Sequence, residues 1–592
     1  MGHAPKNAAP TLTETRRMAF RLHRVLAILL LLALGPSTMA VAGGPPDFVR
    51  VLSESDVATY REMFSAAAAG KRDRVLELAP QLKNRLLVGH VAAKGLLSPQ
   101  TVSTFDELKS WLKAHPDHPE AARIHALAVR KAPSRARELV VPPRRIVRGS
   151  GDDDAEAQAG FSSPAAEAIS KKLRDLIAAR NFTAAQRYLE SAEMREGLSV
   201  SDYGRLTHQI AAGQYYLGDS ATALLIADTV AARVRAQVPE ADWIAGLAAF
   251  RLGKHALAAQ HFIAMADNPA TTSWLRSAAG FWAARSALIA RQPEHVARML
   301  DIAAQKPRTF YGQLALHTLG REPPFSWNEP DLDKAGFQRL VSVNGIARGV
   351  ALFQVGEMEA AEGAIARAHG RLNPELDRAF IALAHDLGFA HIQLLGAHAA
   401  RDPSLKAAAY PIMSVKPSDG WQVDPALVHA IVRQESKFEM RVTSSADARG
   451  LMQLMPSTAA GTMKDTTLDN PGAKAKLFDP AFNLSVGQRY VQKMMSFVEP
   501  DGDLIKLAIA YNGGPGNLQK WLAEVDHRND PLLFIESLPS RETRGYVERV
   551  LANFWIYQDR LAERKTTLDQ LARGEWPVLR WSANSRVAML RP

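Results

Sequence analysis

The 592-residue sequence contains no cysteine. Disulfides and cysteine metal sites are therefore excluded, and stability must come from ordinary packing. After residue 42 there is no run of about twenty apolar residues, so the sequence predicts no further membrane-spanning helix. Convincing strand alternation and Asn-Gly hairpin signals are also missing, and a sheet-based fold is not expected.

Residues 1–42 have the pattern of an export signal. A basic stretch at 16–24 precedes ten apolar residues at 25–34, and Ala40-Val41-Ala42 supplies small residues for cleavage. We expect cleavage near Ala42, with an uncleaved anchor as the alternative. Because no cysteine can carry a lipid, the mature protein is expected to be soluble and periplasmic, without stable membrane insertion.

The charge balance is mildly basic. The formal charge is +11, of which residues 1–42 contribute +4, leaving +7 for the mature chain. Such a balance suits a polyanion, for example a cell-wall polymer with carboxylated peptides, although solubility alone explains it equally well. Nucleic acid is not expected as a partner outside the cytoplasm.

The chain from Asp47 to about residue 400 reads as helical almost throughout, with apolar residues at three-to-four spacing. A weak repeat is visible in which Gly218 and Gly253 stand 35 residues apart and Gly356 closes a similar phrase. Each phrase reads as a helix end, a glycine turn and an alanine-rich second helix. We predict an all-α fold in which tetratricopeptide-like helix pairs stack into a superhelix or ring, followed by a mainly α second domain.

Prolines, glycines and charge switches divide the chain. The predicted segments are an export signal (1–42), an N-terminal helical segment (43–133), a linker or insertion (134–165), a superhelical and linker domain (166–400), a second domain (410–565) and a C-terminal tail (566–592).

One helix of the second domain aims a carboxylate at its own core. It begins at Asp424-Pro425, a good N-cap and first residue, and is expected to end near Lys437. Glu435 falls in its last turn on the apolar face. Burial and the negative end of the helix dipole both raise the pKa of such an acid, as a general acid requires. The alternative is a frayed end that turns to solvent or pairs with Arg433 or Lys437.

The residues that follow make the first interpretation stronger. The segment ARGLMQLMPSTA (448–459) has a glycine for close backbone approach, a pliable methionine and an amide. Asn483, Gly487 and Tyr490 share one helix face, and Tyr511 lies on another helix that ends at Asn512 and two glycines.

At these residues the chain closely resembles the soluble lytic transglycosylases, whose catalytic domain is similar to goose-type lysozyme. The resemblance rests on RQESKF (433–438), RGLMQLMPSTA (449–459), FDPAFNLSVGQRYV (478–491), AYNGG (510–514) and ETRGYVERVL (542–551). It extends upstream to 108–128 and to TFYGQLA at 309–315. Two small departures are Gly514 where alanine is usual and Asp447 where glycine is frequent.

The resemblance implies non-hydrolytic cleavage of the β-1,4 bond between N-acetylmuramic acid and N-acetylglucosamine in peptidoglycan, leaving a 1,6-anhydromuramoyl end. Glu435 would act first as the acid and then as the base. Tyr511 would hydrogen-bond and orient it, with Asn512 and Ser436 in support. The residues expected to shape the saccharide cleft or contact the peptide stem are Met452, Gln453, Asn483, Tyr490 and Glu542.

No His or Asp cluster has metal-ligand spacing, so no metal and no cofactor is expected. Glycan strands of peptidoglycan are the expected partner, with peptidoglycan synthases as further candidates. A hydrolytic muramidase on the same fold and a catalytically inactive helical-repeat scaffold are the alternative functions.

Overall fold

The structure, a computed structural model, describes residues 45–143, 160–191, 197–470, 472–498 and 502–580. Most of these residues lie in helices. Within these ranges there is no β-strand, only isolated bridges such as that between Arg449 and Leu454. The all-α prediction is therefore confirmed. In the described residues no helix is both long enough and apolar enough to cross a membrane.

The helices up to residue 399 build the superhelical part. They are α1 (Glu54–Ala68), α2 (Arg72–Leu78), α3 (Val88–Leu97), α4 (Phe105–Ala114), α5 (Ala121–Lys131), α6 (Pro164–Ala178), α7 (Phe182–Glu190), α8 (Val200–Tyr216), α9 (Ser220–Val234), α10 (Glu240–Arg251), α11 (His255–Asp267), α12 (Ser273–Ile289), α13 (Val296–Ala304), α14 (Phe310–Thr318), α15 (Lys334–Val341), α16 (Asn344–Val355), α17 (Met358–His369), α18 (Asp377–Asp386) and α19 (Ala390–Ala399).

The later helices build the domain that contains Glu435. They are α20 (Pro425–Glu435), α21 (Pro456–Met463), α22 (Pro480–Ser496), α23 (Leu504–Gly513), α24 (Pro515–Glu524), α25 (Pro531–Ser537), α26 (Arg541–Arg560) and α27 (Thr566–Ala572). Short 3-10 turns occupy Ala79–Gln81, Pro133–Glu138, Pro293–His295, Pro374–Leu376, Pro403–Ala409, Thr466–Asp469 and Lys474–Phe478.

Consecutive helices of the superhelix pack as antiparallel neighbours from α8 to α14. The three glycines of the predicted repeat stand at helix-to-helix turns, and all have positive φ: 103° at Gly218, 75° at Gly253 and 89° at Gly356. A residue with a Cβ rarely adopts this backbone conformation, so the glycines permit the short turns that let each helix stack on the next.

The N-terminal helices fold back onto the last helices before the Glu435 domain. One hydrophobic core joins residues from Val49 to Val91 with residues from Leu332 to Ile392. The side-chain oxygen of Gln354 accepts from the backbone N–H groups of Val51 and Leu52, at 2.8 and 2.9 Å. The two ends of the helical array are therefore held together by packing and by buried polar contacts.

The largest core runs continuously from the superhelix into the Glu435 domain. Phe310 of α14 stacks on Trp555 of α26 with ring centroids 5.3 Å apart, and the Gln313 amide donates to the Ala552 carbonyl at 2.9 Å. The described residues from Asp47 onward form one compact unit. Helix α26 thus belongs to both parts of the molecule.

The structure describes the predicted C-terminal tail in part and the predicted export signal not at all. The export signal (1–42) lies outside the described residues, as does 144–159 within the predicted linker (134–165). The predicted tail (566–592) begins as helix α27, whose Leu568 and Leu571 are buried in the main core. Its residue Val578 then pairs with Asp503. Up to residue 580 this segment is an integral part of the domain, because its apolar side chains complete the core.

Candidate active site

Helix α20 carries Glu435 at its last position. The Asp424 side chain accepts from the Ala426 N–H at 2.8 Å and Pro425 is the first helical residue, as predicted. The helix ends two residues before the predicted Lys437, because Lys437 and Phe438 have φ of 51° and 66°. Two consecutive non-glycine residues with positive φ are strained, and such strain gathers at functional sites. The burial of Phe438, 2% exposed, holds this turn in place.

The Glu435 side chain is half-buried at the end of this helix. Its pKa is raised from 4.5 to about 7, chiefly by desolvation; the nearby Tyr546 hydroxyl opposes this rise and the Glu542 carboxylate adds to it. Within the described residues Glu435 forms no ion pair. Arg433 instead donates to the Ala409 carbonyl at 3.2 Å and lies 4.3 Å from the centre of the Tyr410 ring. An acid with this pKa supplies both protonation states near neutral pH.

Three tyrosines line the space beside Glu435. The rings of Tyr511 and Tyr546 are nearly parallel at 6.3 Å, and Tyr490 meets Tyr511 edge-on at 5.2 Å. The predicted hydrogen bond from Tyr511 to Glu435 is absent, because the single hydroxyl proton of Tyr511 is donated to the Met452 carbonyl at 2.9 Å. Tyr511 therefore links two segments of the site and reaches Glu435 only electrostatically.

Tyr546 is the tyrosine that faces Glu435, and the sequence analysis did not single it out. Its buried hydroxyl meets no described group in good hydrogen-bond geometry, yet it lies close enough to hold down the pKa of Glu435. The sequence did contain a clue: Tyr546 follows Glu542 by four residues on α26, so both lie on one helix face. Glu542 is exposed and acts on Glu435 through its charge.

The side chain of Asn483 holds the loop at 449–454 in place through hydrogen bonds. The Asn483 Oδ1 accepts from the Met452 N–H at 2.9 Å, and its Nδ2 donates to the carbonyls of Arg449 and Leu477 at 3.0 and 2.8 Å. Both Met452 and Asn483 are 0% exposed. The sequence predicts that both side chains shape the saccharide cleft, and in this structure neither has exposed surface of its own. They hold the loop, because their polar and apolar groups are already used inside the protein.

Glycines allow this loop to lie so close to α22. A Cβ on Gly487 would approach the Met452 sulfur to 2.1 Å, and one on Gly450, whose φ is 73°, would approach the Leu477 carbonyl oxygen to 2.3 Å. Neither approach is sterically possible, so both positions require glycine. Close packing at Gly487 thus fixes Met452, and Met452 fixes Tyr511.

The remaining predicted residues lie around the same space. Gln453 is half-buried with φ of 45°; its amide N–H donates to the Gly450 carbonyl at 2.9 Å. Asn512 accepts from the Thr543 hydroxyl at 2.8 Å. Ser436 is buried, and its hydroxyl donates back to the Val432 carbonyl at 3.1 Å. Gln453, Asn512 and Tyr490 retain exposed surface, whereas Ser436 caps the end of α20.

Asp447 occupies a position where the resembling family often has glycine. Its φ is 70°, a conformation that aspartate tolerates better than most residues. The carboxylate accepts from Arg449 at 2.7 Å and from Lys474 at 2.9 Å, and these partners lower its pKa. The extra carboxylate is therefore neutralised by Arg449 of its own loop and by Lys474 of the 3-10 turn Lys474–Phe478.

Comparison with known proteins gives a consistent result. Residues 413–534 match the family model described as "Transglycosylase SLT domain". The soluble lytic murein transglycosylase of Escherichia coli (strain K12) is 34% identical over 160 residues, which are 27% of this chain and 24% of that protein. The corresponding protein of Salmonella typhimurium (strain LT2) is 33% identical over 168 residues, 28% of this chain and 25% of that protein. The chain thus spans about a quarter of the length of these relatives.

The fold agrees over a much longer stretch. The crystal structure of the 70 kDa soluble lytic transglycosylase from Escherichia coli superposes with a TM-score of 0.56 at 18% identity, covering 86% of this chain and 97% of that one. The predicted superhelix with a lysozyme-like domain is therefore confirmed at the level of the fold. Residues 413–534 match a transglycosylase SLT domain, and over this region the chain is a homologue of the soluble lytic murein transglycosylases.

Proposed function

We propose that the protein is a periplasmic lytic transglycosylase that cleaves the β-1,4 bond between N-acetylmuramic acid and N-acetylglucosamine in peptidoglycan, leaving 1,6-anhydromuramoyl ends. The observation that carries the proposal is Glu435, a half-buried carboxyl with a pKa near 7 inside the matched domain. The export pattern at 1–42 and the mildly basic mature chain agree with a periplasmic polyanionic substrate.

In the proposed reaction the protonated Glu435 donates its proton to the glycosidic oxygen as the bond from C1 of N-acetylmuramic acid breaks. The carbonyl oxygen of the substrate's own N-acetyl group stabilises the cationic C1. The Glu435 carboxylate then takes the proton of the C6 hydroxyl, whose oxygen closes onto C1. Glu435 ends protonated, and no water is consumed. The pKa near 7 suits this double role, because both forms are accessible at neutral pH.

The polar groups around Glu435 have proposed roles that follow from their exposure. Tyr490, Gln453 and Asn512 keep exposed surface and would contact sugar hydroxyl and acetamido groups. Glu542, exposed on α26, would meet the peptide stem. The fully buried Met452 and Asn483 would act by holding the loop that presents Gln453.

The experiment is digestion of purified peptidoglycan by the full chain and by Glu435→Gln, with products resolved by mass spectrometry. We expect anhydro products, one water lighter than reducing ends, and a loss of about 100- to 10,000-fold in the variant because the general acid is removed. Glu439→Gln, the same change four residues further on, is the matched control. Normal anhydro release by Glu435→Gln would refute the assignment of the acid.

A hydrolytic muramidase is the alternative that one observation favours, because Glu542 acts on Glu435 and would be the second carboxylate of a hydrolase. Reducing-end products, together with a Glu542→Gln variant as inactive as Glu435→Gln, would establish it. Absence of any product from the unmodified chain would instead support the non-catalytic scaffold.

A further inference from the structure

A second group of buried acids lies where the superhelix meets the catalytic domain. Glu536 at the end of α25 is 3% exposed and Glu548 in the middle of α26 is 8% exposed. Their carboxyls lie within hydrogen-bond reach of each other. Two carboxyls can form such a bond only when one of them carries a proton. We call Glu536 and Glu548 the carboxyl pair.

The superhelix supplies the donors to the carboxyl pair. The Tyr311 hydroxyl of α14 donates to Glu536 at 2.5 Å, and the Trp274 indole N–H of α12 donates to Glu548 at 2.6 Å. A continuous chain of polar contacts therefore runs from Trp274 through both acids to Tyr311. Trp274 and Tyr311 lie in helices α12 and α14 of the superhelix, and Glu548 lies in α26, the helix that also carries Tyr546.

The charged and titratable groups around the pair come from several elements. Arg544 of α26 lies over the Tyr216 ring of α8 at 3.8 Å and donates to the Leu538 carbonyl. Arg251 of α10 donates to the Ser537 hydroxyl, which also contacts the hydroxyl of Tyr215. Arg544 partly offsets the burial and the repulsion from Glu548, which together raise the pKa of Glu536. Burial and charge repulsion therefore both oppose the ionised form of Glu536.

Helix geometry connects the carboxyl pair to the active site. Glu548 follows Tyr546 by two residues, which corresponds to a rotation of about 200° around an α-helix. Tyr546 and Glu548 therefore project from nearly opposite sides of α26, Tyr546 toward Glu435 and Glu548 toward the superhelix. Any rotation of α26 that loosens one contact must change the other.

We propose that Glu536 and Glu548, held by Tyr311 and Trp274, are positioning residues that fix the rotation of α26 and so set the approach of the Tyr546 hydroxyl to Glu435. The superhelix then takes part in tuning the acid, in addition to any role in holding the substrate. This inference rests on the proposed function of Glu435, and its test includes one measurement that needs no enzymatic activity.

The chain offers a closely matched pair of variants. Trp274 donates its indole N–H to Glu548, and Trp327 donates its indole N–H to Asp559, at 2.9 Å, eleven residues further along the same helix. Both tryptophans are half-buried. Trp274→Phe and Trp327→Phe therefore remove the same kind of contact to α26, but only the first touches the carboxyl pair.

The first measurement is kcat and KM against pH on soluble glycan fragments. For Trp274→Phe we expect kcat to fall by about 5- to 20-fold with KM within about twofold, because a misplaced neighbour of the acid weakens chemistry more than binding. The alkaline limb of kcat should move up by about half a pH unit as Tyr546 withdraws from Glu435. Trp327→Phe should change neither value.

The second measurement is the melting temperature of each variant, with and without Glu435→Gln, across pH 5–9. The difference between the two curves grows as the pH rises above the unfolded-state pKa and stops growing at the folded-state pKa of Glu435, so the pH at which it levels off reports that pKa by linkage, whether or not the protein cleaves peptidoglycan. Glu548→Gln keeps an acceptor for Trp274 and a donor for Glu536, so it should retain the normal pKa of Glu435. Glu548→Ala should shift the pKa as Trp274→Phe does.

A pKa of Glu435 that moves equally in the Trp274 and Trp327 variants, or in neither, would overturn the positioning role. If Trp274→Phe does not fold, Tyr311→Phe replaces it, because it removes a single hydroxyl from the other end of the pair. A protein that cleaves nothing but shows the shift in melting data would refute the proposed function and leave the positioning inference standing.

Discussion

Two groups of acids lie on opposite sides of helix α26, and they differ in what surrounds them. Desolvation raises the pKa of Glu435 and of Glu536 alike. Glu435 keeps contact with solvent and faces a tyrosine hydroxyl that has no hydrogen-bond partner among the described residues. Glu536 is buried and accepts a hydrogen bond from the Tyr311 hydroxyl. A raised pKa alone therefore does not mark an active site; access and an unsatisfied neighbour distinguish the two.

The largest expected difference between the two sites is in catalysis. Glu435→Gln should lose about 100-fold or more in kcat because no other group supplies the proton. Glu536→Gln should stay within about threefold, since an amide can accept from Tyr311 and donate to Glu548. Rates of anhydro product release from purified peptidoglycan provide the comparison. Equal losses in both variants would mean that the distinction between the sites is wrong.

The second largest expected effect is on the pH dependence of folding stability. A carboxyl whose pKa is raised from 4.5 in the unfolded chain to about 7 in the folded protein makes its full contribution to folding stability below pH 4.5. That stability is lost as the pH rises through 7. Glu435→Gln should therefore be more stable than the unmodified chain above pH 7, by up to about 3 kcal/mol. Chemical unfolding between pH 4 and 9 measures the gap. A gap that does not open with pH would show that Glu435 titrates normally.

Tyr546→Phe should raise the pKa of Glu435. The hydroxyl lowers the pKa of Glu435, so its removal should raise that pKa by about half to one unit and move the alkaline limb of kcat to higher pH. Tyr490→Phe, which removes a hydroxyl from the same cluster without changing the neighbour of Glu435, is the control. A limb that moves to lower pH in Tyr546→Phe would contradict the assigned contact.

Glu542→Gln should have the smallest effect. The Glu542 charge raises the pKa of Glu435, so its loss should lower the alkaline limb by a few tenths of a pH unit, and less at high salt because the group is exposed. Repeating the pH profile at low and high ionic strength checks this. A shift that is unaffected by salt would indicate a direct contact rather than a charge effect.

Much of the fold was predictable because the sequence signals for helix starts, helix ends and turns are local. The start of α20 at Asp424 and Pro425, the placement of Glu435 in its last turn and the glycine turns of the repeat depend on backbone preferences of neighbouring residues. The sequence pattern assigned Tyr511 the wrong hydrogen-bond partner and did not reveal the contacts of Met452 and Asn483. Their partners lie between 6 and 59 positions away, and periodicity does not report which side chain meets which carbonyl.

The amino-acid sequence is enough to predict that the protein is helical, that a carboxylate ends one helix on its apolar face and that short motifs resemble the soluble lytic transglycosylases. Helix periodicity, capping and spacing are properties of adjacent residues, so a single chain displays them. The folded chain is needed to learn that Tyr546, rather than Tyr511, faces Glu435 and that the superhelix packs on the opposite side of the same helix. Desolvation and proton sharing depend on which distant segments close over a group, and that is settled only when the chain is packed.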